Sequence, residues 1–205
     1  MARSVSAVEP ISLGPPREER ADAARNRAHL LQVARLMVDE LGADKVTMDG
    51  LAARAELGKG TVFRRFGTRA GIFLGLLNEE ETQFQQRILS GPPPLGPGAP
   101  AAQRLVAFGR ARLEFLVQHS ALCRAAIDPG QPVPMGHSPS RFHVQTMLRE
   151  ACPDVADITT LTLQLLAALE GPILLYVYSP DKTDPRPLVD SLAEGWRVLV
   201  ERVCG

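Results

Sequence analysis

The chain has 205 residues, with 23 basic and 23 acidic side chains and an aromatic content of only 5%. That balance excludes a protein that holds polyanions by bulk charge, so any nucleic-acid contact must come from a local patch. Sparse aromatics, and long Ala-, Leu- and Arg-rich segments in place of alternating β-branched ones, predict an all-α protein. Cys123, Cys152 and Cys204 are odd in number, widely spaced and without a CxxC pair. They indicate neither a disulfide framework nor a zinc site, and they suit a reducing cytoplasm.

Residues 1–21 hold Pro10, Pro15 and Pro16 among charged residues and lack the apolar core of a signal peptide, so a disordered arm is expected. A first helix is predicted over 22–41, with Leu30, Val33, Ala34, Met37 and Leu41 on one face and Gly42 as the stop. Residues 47–66, TMDGLAARAELGKGTVFRRF, then read as two short helices around a tight turn. Thr47 is the N-cap, and Leu51, Ala52 and Ala55 form the buried stripe. Leu57 plugs the corner, and Gly58 is free to take a left-handed backbone or allow close approach. The second helix turns Val62 and Phe66 inward and leaves Lys59, Gly60, Thr61, Phe63 and Arg64 outside. This is the pattern of a helix-turn-helix whose second helix lies in a DNA groove. Gly67 ends that helix and Thr68 caps the next.

Charge is concentrated at this motif. Residues 1–70 carry 12 basic and 9 acidic side chains, and the remainder 11 and 14. Within 54–69, Arg54, Lys59, Arg64, Arg65 and Arg69 are opposed only by Glu56. A small positive patch on a neutral body is the footprint of a docking surface.

A connector helix is expected over 69–89, with Ile72, Phe73, Leu76, Leu77 and Phe84 on its apolar side. SGPPPLGPGAP at 90–100 breaks helical continuity. Helical spacing returns at 101–119, and a second broken stretch at 128–140 precedes a helix at 140–151. Residues 155–178 are apolar nearly all round and must be covered on both faces. Gln164, Glu170 and Gly171-Pro172 interrupt them, which argues against a membrane span. A last helix carries Leu188, Leu192, Trp196, Leu199 and Val203 as a stripe. Leu161, Leu165, Leu188, Leu192, Trp196 and Leu199 are the candidate residues for a four-helix interface with a second copy; completion of the protomer's own core is the other reading.

The run from Gly42 through TMDGLAARAELGKGTVFRRFGTRAGIF resembles the N-terminal domain of the TetR/AcrR family of bacterial transcriptional regulators, over roughly residues 25–75. The resemblance implies an arm at 1–21, a three-helix helix-turn-helix domain at 22–68, and a helical effector-binding and dimerisation domain at 69–205. It also implies a cytoplasmic homodimer, most often a repressor, on a palindromic double-stranded DNA operator. DNA contacts then fall to Thr47, Lys59, Gly60, Thr61, Phe63, Arg64, Arg65, Thr68 and Arg69, with Arg64 the candidate for base readout. Phe63 stands where the family usually has Tyr, Arg65 where it has His, Arg69 where Lys is common, and Gly58 where Ser is common.

A small-molecule effector follows from the same resemblance. Phe108, Arg112, Phe115, His119, Phe142, His143 and Glu170 can line an apolar cavity with a few polar anchors. No metal or cofactor is expected; His119, Cys123, His137 and His143 lie close in sequence but form no recurrent ligand motif. Two other classes remain to weigh. An all-helical enzyme lacks support, since no GxSxG, phosphate loop or dinucleotide fingerprint is present. A dimeric sensor or scaffold that has lost DNA binding is opposed by Lys59, Thr61, Arg64 and Arg65.

Overall fold

The computed structural model describes residues 17–127, 139–179 and 184–205. The expected arm lies largely outside these residues, as does most of the loop at 128–140. The described residues are helical, with no strand among them. The order is α1 (Arg17–Leu41), a 3-10 turn (Ala43–Lys45), α2 (Met48–Arg54), α3 (Lys59–Phe66), α4 (Arg69–Ser90), α5 (Ala101–Gln118), α6 (Ser120–Ala125), α7 (Pro139–Ala151), α8 (Ile158–Tyr178) and α9 (Arg186–Cys204). α1 begins five residues before the predicted start, because the run REERADA contains no helix breaker after Pro16.

Two cores form, joined by α4. The smaller gathers Leu30, Leu31, Ala34 and Met37 of α1, Leu51 and Ala52 of α2, Val62 of α3, and Ile72, Phe73 and Leu76 from the first half of α4. The second half of α4 gives Phe84 and Ile88 to the larger core, with Leu105, Phe108 and Leu113 of α5, Met147 and Leu148 of α7, Leu165 and Ile173 of α8, and Trp196 and Val200 of α9. α6 crosses back: its Leu122 is buried in the smaller core. The connector α4 therefore contributes to both cores.

α5 is the axis of the larger half, and α7, α8 and α9 all pack against it. Trp196 is 2% exposed, and its indole Nε1 donates to Leu105 O at 2.7 Å. Its ring lies over Gly109, where an added Cβ would come within 2.0 Å of ring carbon. Only the missing side chain lets α5 and α9 approach so closely. Trp196 and Leu165 (5% exposed) are thus core residues of the protomer, which corrects their assignment to an interface between copies. Leu161, Leu188 and Leu192 are half-buried against the same core, and Leu199 is exposed.

α8 contains a 20-residue window, Ile158–Val177, of mean hydropathy 1.6, which by length and composition alone is enough to cross a membrane. The interruptions read from sequence do not break the helix; Pro172 sits within it. Leu165, Leu169, Ile173 and Val177 are buried, whereas Leu163 and Leu175 are exposed, Leu175 at 78%. Asp157 starts the helix by accepting the amide of Thr160 at 3.0 Å.

The absence of a disulfide, expected from cysteine spacing, is corrected. Cys152, just past α7, and Cys204, at the end of α9, are disulfide-bonded with Cα atoms 4.9 Å apart. They lie 52 residues apart in sequence, so no local spacing could signal the pair.

Gly109→Ala is expected to destabilise the protein by about 1–3 kcal/mol through overpacking against Trp196. Urea unfolding followed by tryptophan fluorescence measures it, and an unchanged midpoint would show that α5 and α9 have room to part.

Candidate nucleic-acid interface

The Thr47 hydroxyl caps α2 by accepting the amide of Gly50 at 3.0 Å. Between α2 and α3 the chain turns at Glu56, whose φ of 55° places a non-glycine residue in the left-handed region. Gly58, open by sequence to that conformation or to a close approach, takes neither: it is extended at φ −65°, has nothing within 4 Å of where a Cβ would sit, and forms the N-cap of α3 without a side-chain hydrogen bond. The amide of Leu57 donates to Ala52 O at 3.0 Å, which closes the corner. Val62 is fully buried beneath α3, and the guanidinium of Arg27 lies over the ring of Phe66 at 5.7 Å. Gly67, at φ 69°, ends the helix, and Thr68 caps α4 by accepting the amide of Gly71 at 3.2 Å.

These constraints turn Lys59, Gly60, Phe63, Arg64 and Arg65 to solvent, with Phe63 65% exposed and Thr61 half-buried. The patch is less positive in space than along the chain. Arg54 is held bidentately by Glu40 at 2.6 and 2.7 Å, and Lys59 Nζ meets Asp49 at 2.7 Å. Arg69 turns inward: it donates to Val46 O and Ala43 O, both at 2.7 Å, and lies 4.7 Å over the ring of Phe73. It staples the 3-10 turn to α4. Arg64 bonds only its own helix, Nε to Gly60 O at 3.3 Å, and Arg65 has no carboxylate partner among the described residues. The α3 face thus presents two uncompensated guanidinium groups and one lysine held by a surface pair, which is a weak tether in water.

In the larger half, Arg112 is almost fully buried. Its Nε donates to Glu170 Oε1 at 2.7 Å and its NH1 to Glu81 Oε2 at 2.6 Å, while the rings of Phe115 and Phe84 flank the guanidinium at 5.1 and 5.9 Å. Burial opposes the charge, but the carboxylates of Glu170 and Glu81 outweigh it and hold Arg112 above its ordinary value. Glu81 also accepts Gln85 at 2.8 Å and the buried Ser140 hydroxyl at 3.4 Å. Sequence reading selected Arg112 and Glu170 but not Glu81, which lies on another helix with no spacing to betray it.

Of the other proposed lining residues, Phe108 and Phe115 pack on Phe84, with His143 against Phe108 and His119 against Phe115. Phe142 does not; it is 74% exposed, since it precedes the buried Val144 by two positions on α7. His143 Nε2 and Arg104 Nε are buried without a hydrogen-bond partner. Burial, with Arg104 adding to it, pushes His143 down to about 4. His119 is lowered as well, chiefly by burial, with Glu80 opposing and Arg35 reinforcing. It opens on a cavity of about 370 Å³ between the two halves, lined also by Arg35, Asp39, Glu80 and Leu122. Among the described residues no group of three or more His, Cys, Asp or Glu side chains could hold a metal ion; His137 lies outside them.

A capped short helix, a left-handed corner and a second helix with outward arginines form a helix-turn-helix. Residues 30–76 match the family model described as bacterial regulatory proteins, tetR family. Among solved structures, NalD, the secondary repressor of the MexAB-OprM multidrug efflux pump in Pseudomonas aeruginosa, aligns over 86% of this chain and 95% of its own, with 16% identity and a TM-score of 0.51. At that identity the match shows a shared fold. CprB from Streptomyces coelicolor, a TetR family protein solved with its biological operator sequence, aligns over 89% of this chain and 98% of its own at 20% identity and a TM-score of 0.44. No curated protein sequence matches the chain. Residues 30–76 are thus similar to the tetR family of bacterial regulatory proteins, and the whole chain shares the fold of NalD.

Two outcomes follow from this geometry. Arg69→Ala is expected to cost about 1–3 kcal/mol of stability by leaving two carbonyls and the Phe73 face without their partner; an unchanged urea midpoint, with DNA affinity alone reduced, would assign the side chain to phosphate instead. For His143, the unfolded chain takes up a proton below pH 6.5 and the folded chain only near pH 4. Its contribution is therefore intact above pH 6.5 and is lost as pH falls from 6.5 to 4. Urea midpoints at pH 7.5 and 4.5 should differ less in His143→Gln than in the wild type, and equal differences would contradict the depressed pKa.

Proposed function

We propose that the chain is a repressor that binds a palindromic operator as a homodimer in the cytoplasm and releases it when a small, partly apolar molecule enters the larger half. The observation that carries this reading is the outward face of α3, where Arg64 and Arg65 project from a domain with its own core. Arg64 reads a base, since a guanidinium pairs bidentately with guanine, and Arg65 and Lys59 meet phosphates. Thr47 and Thr68 spend their oxygen lone pairs on caps, yet each O–H is left to donate to a phosphate. The amides at Gly60 and Thr61, in the first turn of α3, add a weak positive end. Phe63 offers an apolar contact to sugar or to a thymine methyl. Arg69 contributes by holding the domain in shape more than by direct contact.

One α3 helix covers only a few base pairs, so specificity calls for two copies. The exposed leucines of α8 and α9, Leu163, Leu175 and Leu199, support pairing through those helices, for an exposed apolar face beside a finished core favours burial. The effector reading rests on the aromatic ring set around Arg112 and on the unsatisfied buried atoms of His143 and Arg104. A polar group on the ligand would satisfy them, and displacement of Glu81 or Glu170 from Arg112 would shift α4.

Selection of bound DNA from random sequences tests the reading. It should return a twofold-symmetric site. Arg64→Ala should lose about 1–3 kcal/mol at one base position and relax preference there, whereas Arg65→Ala should weaken all sequences alike and flatten the salt slope. Leu175→Glu should leave the protomer folded and shift the wild-type dimer towards monomer in sedimentation velocity; an unchanged dimer would place the interface elsewhere.

A further inference from the structure

The Cys152–Cys204 disulfide stands apart from both the DNA face and the Arg112 cluster. Its closed loop contains the whole of α8 and α9, the two helices that carry the exposed leucines. α9 packs chiefly on α5, and α8 on α5 and α7, with little contact between α8 and α9 themselves. The crosslink is a covalent tie between the end of α7 and the end of α9. Cys152 is 5% exposed, whereas Cys204 is only half-buried and is the less covered residue of the two. Cys123, the remaining thiol, lies on α6, and burial pushes it up, away from the reactive thiolate.

We propose that Cys152 and Cys204 form a reversible thiol–disulfide modification site that exchanges with small-molecule thiols and disulfides and sets the rigidity of the α8–α9 unit. A small thiolate attacks Cys204 Sγ and forms a mixed disulfide; the Cys152–Cys204 bond breaks, and its electron pair leaves with Cys152 Sγ, which takes a proton. A second small thiolate attacks its counterpart in the mixed disulfide and releases Cys204, again protonated. Two small thiols are oxidised to one small disulfide, and one protein disulfide is reduced to two thiols. Oxidation runs the same steps backwards. The oxidised form loses chain entropy only in its unfolded state, so reduction lowers stability. It also frees the last turn of α9, beside Val200 and Val203, and loosens the surface offered to a second copy. That last consequence rests on the proposed dimer; the crosslink and its stabilisation do not.

The test uses the full chain equilibrated with glutathione, from fully reduced to fully oxidised, then acid-quenched, alkylated with iodoacetamide and peptide-mapped. Oxidised samples should yield a Cys152–Cys204 peptide and no crosslink to Cys123. Full reduction should lower the thermal midpoint by about 10 °C, the scale expected for closing a loop of this length in a chain of this size. Cys204→Ser should melt like the reduced wild type and ignore the redox buffer, while Cys123→Ser should behave like the wild type. Sedimentation equilibrium should show a several-fold tighter dimer in the oxidised form. No Cys152–Cys204 peptide in excess glutathione disulfide, or equal midpoints for the two forms, would overturn the proposal. Equal dimer constants would overturn the link to assembly while leaving operator binding, read separately by gel shift, where it stands.

Discussion

Three consecutive carboxylates on α4 hold the two halves of the molecule together. Glu79 and Glu80 grip Arg35 of α1, and Glu81 grips Arg112 of α5, which in turn binds Glu170 of α8. Neighbours on a helix point about 100° apart, so this short run faces the DNA-binding half on one side and the larger core on the other. The α4 helix is consequently no passive spacer. Its first half completes one core, its second half enters the other, and its middle carries the ion pairs that set their relation. Breaking one partner of the largely buried Arg112 pairs is far costlier than the pairs are stabilising, which makes that end of the arrangement stiff, whereas the Arg35 pairs are more exposed and hold less firmly.

That stiffness suits the ligand-controlled DNA binder proposed above. The α3 face keeps its shape through local devices: the Thr47 and Thr68 caps, the left-handed Glu56, and Arg69 tied to two carbonyls. In the proposed function, a ligand near Arg112 changes the direction of α4, and with it the spacing of two α3 helices in the proposed dimer. Only a ligand that favours one arrangement over the other shifts the balance, and the Glu81–Arg112–Glu170 cluster is where such a difference would arise.

Much of this was legible in the sequence because it is local. Apolar residues three and four apart marked α1 to α5 and α9, and Gly42 and Gly67 marked helix ends. The helix-turn-helix was readable from cap, stripe, corner and outward cations. What escaped was either a backbone detail or a long-range meeting. Gly58 was the natural place for a left-handed residue, yet Glu56 takes it. Stripes tell which side of a helix is buried but not by what, so Trp196 and Leu165 were read as facing a second copy when α5 already covers them. Glu40 and Asp49, which temper the positive patch, and Glu81 and the Cys152–Cys204 pair all arrive from elements without sequence spacing to announce them.

The proposed function requires α3 to be the reading helix of a symmetric pair. Hydroxyl-radical footprinting of the wild type and Arg64→Ala on DNA selected from random sequence tests that most directly. The predicted result is protection of two equivalent half-sites about one helical turn apart, with both halves weakened together by the substitution. A single asymmetric protected segment, or a pattern untouched by Arg64→Ala, would contradict it.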